Sequence, residues 1–139
     1  MDRAMKYGRV VLADSHLNLL GGVHDLLNSL FETVLMVADE GSMMEALAKF
    51  APNLAIVDLS LTGSGEGNVV RRLHRRHPDV PLIVLSVDDD VTVVAEVRNS
   101  GAAGFVLKRT VAIDLVPAVH QVLRGGGYVS PKAGGGTDA

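Results

Sequence analysis

Apolar and polar positions along the chain follow two alternating patterns. Five short stretches are almost continuously apolar and rich in β-branched residues, which is typical of strands buried on both faces of a parallel sheet. Between them, apolar residues recur every three or four positions, as they do on one face of a helix. The pattern predicts strands at residues 9–13, 33–37, 53–58, 80–85 and 104–107.

Turn and capping residues delimit the helices, which are predicted at 17–30, 42–50, 68–77, 91–99 and 114–124. Ser42, with a glutamate three residues later, forms a capping box that starts the second helix. The last helix is expected to begin at Asp114, because Pro117 then lies in the first turn, where its missing N–H has no helical partner. Gly21 and Gly22 in the first helix indicate close packing on the sheet.

Five alternations of strand and helix predict an α/β domain in which helices cover both faces of a parallel sheet. Right-handed crossovers leave few ways to connect the strands, and 2-1-3-4-5 is the common order for five of them. We therefore expect a three-layer α/β/α, flavodoxin-like fold over residues 1–131. Residues 132–139 contain three glycines and are expected to form a flexible tail or the start of a linker.

Composition excludes several classes of function. The chain of 139 residues contains no cysteine and has a net charge of −3, so it has no disulfide framework and no overall attraction to nucleic acid or anionic membranes. With three Phe, two Tyr and no Trp, a stacking surface for single-stranded nucleic acid is not expected. No apolar run reaches about 18 residues, so we expect a cytoplasmic protein without a membrane-spanning segment.

Four polar residues stand where four predicted strands end. Asp14 follows the first strand, Asp58 ends the third, Ser86 follows the fourth and Lys108 follows the fifth. Each has an ordinary explanation by itself, as a helix cap, a turn residue or a solvated charge. The carboxyl ends of parallel strands share one edge of the sheet, and ligands bind at that edge. Together the four residues therefore predict a common site.

The donor types of this predicted site favour phosphoryl chemistry. Two carboxylates with loop carbonyls form an oxygen-rich site that suits Mg²⁺ or Mn²⁺ and not zinc. A carboxylate next to a cation, an ammonium group and a hydroxyl can attack phosphorus, because positive charge neutralises the incoming phosphoryl group. The sequence therefore predicts that an acyl phosphate forms on an aspartate.

These residues resemble the receiver domain of two-component response regulators, and the resemblance extends from Arg9 to Pro131. Residues 11–16 resemble the acidic motif after the first strand, and residues 58–61 resemble the end of the phosphoacceptor strand. Ser86 and Lys108 resemble the hydroxyl and lysine positions of the family. Residues 126–131 are similar to the exit segment of the NarL/LuxR-type subfamily, which normally leads to a helix-turn-helix domain.

The resemblance implies that Asp58 accepts a phosphoryl group from the phosphohistidine of a sensor histidine kinase. It also implies that Mg²⁺ is bound by Asp14, Asp58 and the backbone carbonyl of Ser60. Lys108 would pair with the phosphoryl oxygens, and Ser86 would donate a hydrogen bond to one of them. Such a domain is not an enzyme beyond its own phosphorylation and dephosphorylation.

A conformational switch is also implied. As Ser86 moves toward the phosphoryl group, Phe105 would turn inward, and the fourth helix, fifth strand and fifth helix would repack. This repacking would change homodimerisation or contact with an output domain, upstream of transcription control. DNA would then bind only to that output domain and not to these residues. Alternatively, Phe105 is an ordinary buried aromatic of a strand.

Three positions depart from the pattern of the family. Ser15 replaces the second of two adjacent acids that normally meet the metal, which leaves it an atypical, weak ligand; at an effective dielectric near 20 the lost attraction is about 4 kcal/mol. Thr62 replaces a proline, and Arg109 replaces an acid and adds positive charge near the site. Two hypotheses stay open: a phosphoacceptor with weakened metal binding, or a phosphorylation-independent receiver that acts as an interaction or dimerisation scaffold.

Other functions are possible on this topology but lack their signatures. A flavin-binding protein needs a Ser/Thr/Gly-rich phosphate cradle after the first strand, where this chain is acidic. A metal-dependent phosphatase needs a general acid two residues after its nucleophile, where this chain has Ser60.

The third helix presents either a solvated basic face or a patch for an anion or partner, formed by Arg71, Arg72, Arg75 and Arg76.

Overall fold

Six parallel strands form one sheet in a computed structural model, which describes residues 6–16, 21–61 and 67–133. The order across the sheet is β2-β1-β3-β4-β5-β6. The strands are β1 (Tyr7–Ala13), β2 (Phe31–Val37), β3 (Leu54–Asp58), β4 (Leu82–Ser86), β5 (Gly104–Leu107) and β6 (Tyr128–Val129). The helices are α1 (Gly21–Leu30), α2 (Glu40–Lys49), α3 (Val69–Arg76), α4 (Val91–Asn99) and α5 (Val111–Leu123).

The predicted flavodoxin-like fold and the order 2-1-3-4-5 are confirmed, and a sixth strand extends the sheet. β6 is only two residues long and pairs with β5, with Tyr128 beside Gly104 and Val129 beside Phe105. Two residues are too few to produce a recognisable alternation of apolar and polar positions, so the pattern did not predict this strand. Its pairing attaches the chain after α5 to the edge of the sheet.

Helices on the two faces of the sheet enclose two apolar layers. α1 and α5 cover one face, where Leu27 and Leu115 are completely buried. α2, α3 and α4 cover the other face, where Met43 and Leu73 are completely buried. Every residue of β3 is buried between the layers, which carries Asp58 at its end out of bulk water. No helix in the described residues is long and apolar enough to cross a bilayer.

The first helix is described from Gly21, and its predicted residues 17–20 lie outside the described residues. Gly22 is exposed, and apart from its chain neighbours and the backbone of its own helix no atom lies within 4 Å of the position that a Cβ would take. The predicted close packing of Gly22 on the sheet is therefore wrong. Gly22 instead lines a cavity next to the site described below.

α2 begins earlier than predicted. Its N-cap is Asp39, whose Oδ1 accepts a hydrogen bond of 2.7 Å from Ser42 N, so the predicted cap at Ser42 is wrong. Asp and Ser are about equally good caps, and the apolar pattern does not choose between two candidates three residues apart. Glu45, which was expected to complete the capping box, pairs with Lys49 at 3.1 Å instead.

α5 begins at Val111 after a 3₁₀ turn over Lys108–Thr110, so the predicted start at Asp114 is wrong. Pro117 therefore lies inside the helix, where it cannot donate a hydrogen bond to the carbonyl of Ile113. Pro117 is exposed and Ile113 is 76% exposed, so this side of the helix faces solvent and water can bond to that carbonyl. The usual penalty for an internal proline is thereby reduced.

Candidate functional site

The register of the sheet aligns the carboxyl ends of its central strands at one edge. Asp58 of β3 lies beside Leu85 of β4, and Ser86 of β4 lies beside Leu107, the residue before Lys108. β1 runs beside β3 in parallel, so the residue that follows β1 reaches the same edge. Parallel pairing thus gathers the strand ends that the sequence analysis singled out.

Asp58 is buried at this edge and bonded on both carboxylate oxygens. Its Oδ2 accepts hydrogen bonds from Lys108 Nζ at 2.8 Å and from Ser60 Oγ at 3.0 Å, and its Oδ1 accepts one from Ser60 N at 3.0 Å. Burial acts to raise the pKa of Asp58, but the hydrogen bonds from Lys108 and Ser60 outweigh it and hold the pKa below its ordinary value. The carboxylate is therefore ionised at neutral pH, as a nucleophile must be.

Lys108 contacts both buried acids of the site. Its Nζ lies 2.8 Å from Asp58 Oδ2 and 3.2 Å from Asp14 Oδ2, and its side chain is 22% exposed. Burial acts to lower the pKa of Lys108, but its contacts with Asp58 and Asp14 outweigh burial and raise the pKa above its ordinary value. An ammonium group that is charged at neutral pH thus stands beside the carboxylate oxygen, where it can neutralise an incoming anion.

Asp14 is completely buried, and one of its oxygens has no hydrogen-bond donor. Its backbone N donates to the carbonyl of Val37 at 3.1 Å, and its Oδ1 accepts from His16 N at 2.7 Å. Its Oδ2 is close enough to Lys108 for ion pairing, but it accepts no hydrogen bond from any residue that the structure describes. A buried carboxylate oxygen with only this ion pair can accept a further partner, and coordination to a cation would supply one.

The sequence analysis did not identify His16 as part of this site. Ligand atoms of Asp14, His16 and Asp58 all lie within 4.8 Å of one another. Ser15, the expected weak metal ligand, is exposed, and its Oγ is 3.3 Å from His16 Nδ1 in a hydrogen bond. In the structure a turn at residues 15 and 16 returns the second residue after Asp14 toward the edge of the sheet, and the apolar pattern carries no signal for it.

Ser86 and Phe105 occupy positions that bear on the implied switch. Ser86 is buried, and its Oγ donates to the carbonyl of Asp88 at 2.9 Å and accepts from Asp88 N at 2.9 Å. The hydrogen bonds described for this hydroxyl therefore go to its own loop and not to Asp58. Phe105 is completely buried and pairs with Val84 of β4, so its side chain is already directed inward.

Arg109 and Thr62 are two of the positions that depart from the family pattern. Arg109 pairs with Asp89 at 2.9 Å, and both side chains are about half exposed, at 52% and 47%. Its charge is therefore compensated at the surface by a partner outside the carboxylate pair. Thr62 lies outside the described residues.

The basic side chains of α3 are mainly exposed, and one of them forms a well-formed ion pair with a residue that the structure describes. Arg72 forms two hydrogen bonds of 2.8 Å to Glu40, and the two side chains are 13% and 11% exposed. Arg75 and Arg76 are exposed, and Arg71 donates to Ser100 Oγ at 3.3 Å. The pair between Arg72 and Glu40 fastens α3 to the start of α2.

A cavity of about 690 Å³ opens beside the site. His16, Ser60 and Lys108 contribute polar groups to its wall. The remaining wall is largely apolar and comes from Gly22, Val23, Leu26, Val87, Val111 and Ala112. A cavity of this kind can accept an apolar or aromatic group of a partner next to the Asp58 carboxylate.

α5 contains a further buried carboxylate, which the sequence analysis treated only as a helix start. Asp114 is 4% exposed, and its Oδ2 accepts hydrogen bonds from Thr110 Oγ1 at 2.5 Å and from Ser130 Oγ at 2.7 Å. Its Oδ1 accepts one from Tyr128 OH at 2.9 Å. Ser130 Oγ in turn accepts from Leu107 N at 3.0 Å. The network joins α5 and β6 to the end of β5.

These contacts shift two ionisation equilibria. Burial acts to raise the pKa of Asp114, but the hydrogen bonds from Thr110, Ser130 and Tyr128 outweigh it and hold the pKa below its ordinary value. Burial, together with the hydrogen bond to Asp114, raises the pKa of Tyr128 to about 12. The carboxylate is therefore ionised and the phenol protonated at neutral pH.

Comparison with known proteins identifies the family of the chain. The family model of the response regulator receiver domain matches residues 10–120. The chain is 33% identical over 126 residues to transcriptional regulatory protein DegU of Brevibacillus brevis and 35% identical over 125 residues to transcriptional regulatory protein UhpA of Salmonella typhimurium. The matches cover 89% and 88% of this chain but 53% and 62% of those proteins, so the chain spans little more than half the length of these relatives.

Solved structures show the same fold. A LuxR-family two-component response regulator from Aurantimonas sp. SI85-9A1 has a TM-score of 0.82 and 22% identity, over 92% of this chain and 93% of that one. The isolated REC domain of RcsB from Salmonella enterica serovar Typhimurium, in the presence of phosphomimetic BeF₃⁻, has a TM-score of 0.81 and 24% identity. That match covers 94% of this chain and 97% of the other.

Proposed function

The chain belongs to the response regulator receiver domain family of two-component signalling, and from this premise we propose that Asp58 accepts a phosphoryl group from the phosphohistidine of a sensor histidine kinase. The observation that carries the proposal is the position of Lys108 Nζ, which lies 2.8 Å from Asp58 Oδ2 and 3.2 Å from Asp14 Oδ2. An ionised nucleophile, a neutralising cation and a second acid are thus within reach of one incoming phosphoryl group.

In this transfer one P–O bond forms and one P–N bond breaks. An Asp58 oxygen supplies the electron pair to phosphorus, and the leaving imidazole nitrogen keeps the electron pair of the broken bond. Lys108 neutralises negative charge on the phosphoryl oxygens, and the two hydrogen bonds from Ser60 hold the carboxylate in one orientation. The product is an acyl phosphate that stays paired with Lys108.

The residues at the edge fit a divalent cation. Asp14, Asp58 and the backbone carbonyl of Ser60 would hold Mg²⁺ or Mn²⁺, and the buried Asp14 Oδ2 that lacks a donor supports this assignment. When bound, the cation supplies positive charge to the phosphoryl oxygens. Ser15 contributes no charge and Lys108 already offsets one of the two acids, so we expect weak Mg²⁺ affinity.

Ser86 would transmit phosphorylation to α4. Its Oγ is held by the backbone of Asp88 through two hydrogen bonds of 2.9 Å, and both would break if the hydroxyl turned toward a phosphoryl oxygen. The freed loop leads directly to Asp90, the N-cap of α4. Phe105 is already inward, so it would respond by repacking against α4 and not by rotating in from the surface. The α4–β5–α5 face would then change its contacts.

The chain would be the receiver part of a longer transcription regulator. Residues 1–131 would form the receiver domain and residues 132–139 a linker to an output domain that binds DNA; residues 134–139 lie outside the described residues. The names of DegU and UhpA as transcriptional regulatory proteins support this proposal. The partners would be a sensor histidine kinase, which reaches Asp58 over the apolar cavity, and a second copy bound through the α4–β5–α5 face.

Beryllofluoride with Mg²⁺ tests the phosphoacceptor role. The amide signals of Asp58, Ser86 and Phe105 should shift in the wild-type protein, and acetyl phosphate should add the mass of one phosphoryl group. Asp58→Asn should abolish both effects, whereas Asp79→Asn, at an exposed acid in the loop before β4, should leave them unchanged. No shift and no added mass at millimolar Mg²⁺ would refute the proposal.

That negative outcome would favour the alternative function, a phosphorylation-independent scaffold. The observation that supports the alternative is the neutral Ser15, whose hydroxyl is bonded to His16 and adds no charge to the metal site. A scaffold of this kind would form the same complexes whether or not Asp58 is replaced by Asn.

A further inference from the structure

The ligand atoms beside Asp58 include a nitrogen. His16 Nδ1 is 3.7 Å from Asp14 Oδ1, and ligand atoms of Asp14, His16 and Asp58 lie within 4.8 Å of one another. We propose that His16 is a metal ligand of this site and that the site consequently binds Mn²⁺ and later first-row ions more tightly than Mg²⁺. The inference rests on the proposed function only in placing a cation beside Asp58.

The turn after β1 positions the imidazole. The backbone N–H of His16 donates to Asp14 Oδ1 at 2.7 Å, which fixes the residue beside the buried carboxylate. Its side chain is 63% exposed, so a cation can approach the ring nitrogens from solvent. Ser15 Oγ is bonded to the same ring at Nδ1, which holds the ring on the side of the site.

The acids need more positive charge than Lys108 supplies. Asp14 and Asp58 are both buried, and Lys108 is the one cation described in contact with the pair. Asp14 Oδ2 accepts no hydrogen bond from the described residues. A cation on this oxygen would give it a second positive partner beside Lys108 and would offset the remaining negative charge of the two acids.

Ligand type then determines which cation binds best. Mg²⁺ prefers oxygen donors and retains its water reluctantly, whereas imidazole nitrogen favours Mn²⁺, Co²⁺ and Ni²⁺ in increasing order. With serine at position 15, the site has two carboxylates and an imidazole in reach, in place of a third carboxylate. The absence of an acid at position 15 lowers affinity for Mg²⁺, and an imidazole ligand at His16 would retain affinity for transition ions.

Isothermal titration calorimetry on the 139-residue chain, freed of metal by a chelator, tests the proposal with MgCl₂, MnCl₂ and NiCl₂. The wild-type protein should bind Ni²⁺ and Mn²⁺ more tightly than Mg²⁺. His16→Ala should lose about tenfold or more in Ni²⁺ affinity, because removal of even an outer-shell partner costs roughly 10–100-fold. Its Mg²⁺ affinity should not change.

His24→Ala is the matched control, since His24 lies on α1 and its Nε2 contacts Asn28. It should leave every affinity unchanged, and Asp58→Asn should weaken all three ions. Equal Ni²⁺ affinity in wild type and His16→Ala would overturn the proposal. An equal loss for Mg²⁺ and Ni²⁺ in His16→Ala would also overturn it, because His16 would then act through the turn and not as a nitrogen ligand.

The same samples separate this inference from the proposed function. Beryllofluoride with Mg²⁺ could shift the amide signals of both wild type and His16→Ala while the two proteins bind Ni²⁺ with equal affinity. In that case the phosphoacceptor role stands and the inference fails. If beryllofluoride has no effect but Ni²⁺ binding depends on His16, the inference stands and the phosphoacceptor role fails.

Discussion

Replacement of Lys108 by Met should destabilise the protein. The variant tests whether the Lys108 ammonium group is what allows the two acids to be buried. Methionine retains an apolar side chain of similar length but removes the ammonium group. Asp14 and Asp58 would then face each other in the interior without a described cation in contact with both. At neutral pH one of the two carboxyl groups would have to take up a proton, or the edge of the sheet would have to open.

The structure sets the size of this effect. At an effective dielectric near 20, the attraction is about 6 kcal/mol across 2.8 Å and about 5 kcal/mol across 3.2 Å, before desolvation is subtracted. Protonating one carboxyl group with an ordinary pKa of 3.8 at about pH 7 costs about 4 kcal/mol, which limits the loss. Lys108 is 22% exposed, so we expect a decrease of about 2–4 kcal/mol in the free energy of unfolding.

Urea denaturation of the metal-free protein, followed by far-ultraviolet circular dichroism, measures this change. Lys49→Met is the control, because Lys49 is 76% exposed in its pair with Glu45 and should cost less than about 0.5 kcal/mol. The double variant Lys108→Met, Asp58→Asn should recover most of the lost stability, since it removes the uncompensated charge. A Lys108→Met protein as stable as wild type, or a double variant no more stable than Lys108→Met, would refute the reasoning.

The pH dependence provides a second check on the same pair. In the wild type the pKa of Asp58 is below its unfolded value of 3.8, so its stabilisation is fully present above that value and is lost as pH falls through the folded pKa. In Lys108→Met the pKa of one buried carboxyl group should rise above its unfolded value. The difference in the free energy of unfolding between wild type and Lys108→Met should therefore decrease as the pH is lowered from about 7 to about 4.

Ser15→Asp should raise Mg²⁺ affinity by about tenfold or more, because it adds a carboxylate near the cation; equal Mg²⁺ affinities by calorimetry would contradict this. Asp114→Asn should lower the free energy of unfolding by about 2–4 kcal/mol, because three hydroxyl groups lose a charged acceptor. It should also lower the pKa of Tyr128 from about 12 toward 10.0, and an unchanged spectrophotometric titration would count against the network. Arg72→Met should cost about 1–2 kcal/mol in urea denaturation, because its ion pair is mostly buried. Arg75→Met, at an exposed position of α3, should change stability by less than about 0.5 kcal/mol.

The apolar pattern was sufficient to predict the first five strands of the sheet and their order. β3 and β5 are buried at every residue, and strands of this kind are apolar throughout, so their positions can be read from sequence to within a residue or two. Helix ends were predicted less well, as at Asp39 and Val111, where the true ends differ from those expected. A cap depends on one hydrogen bond between neighbours, and several residues near each end are chemically able to form it.

The pattern of apolar and polar positions could not predict the hydrogen-bond partners of side chains at the site. Ser86 is engaged with Asp88, Arg109 pairs with Asp89, and Asp114 is a buried acceptor and not a helix start. In each case the residue type permits several partners. The one that is used depends on the loop conformation and on the segments that pack nearby.

The sequence alone determined that the chain alternates strands with helices and that acids, a hydroxyl and a lysine follow strands at one edge of a parallel sheet. It could do so because burial on both faces imposes a local, periodic requirement on every strand. Only the tertiary structure decided that Lys108 contacts both Asp14 and Asp58 and that His16 lies beside them. It also decided that Tyr128 of β6 donates a hydrogen bond to Asp114. These are contacts between side chains whose relative positions are set by packing and loop geometry, and no local periodicity encodes them.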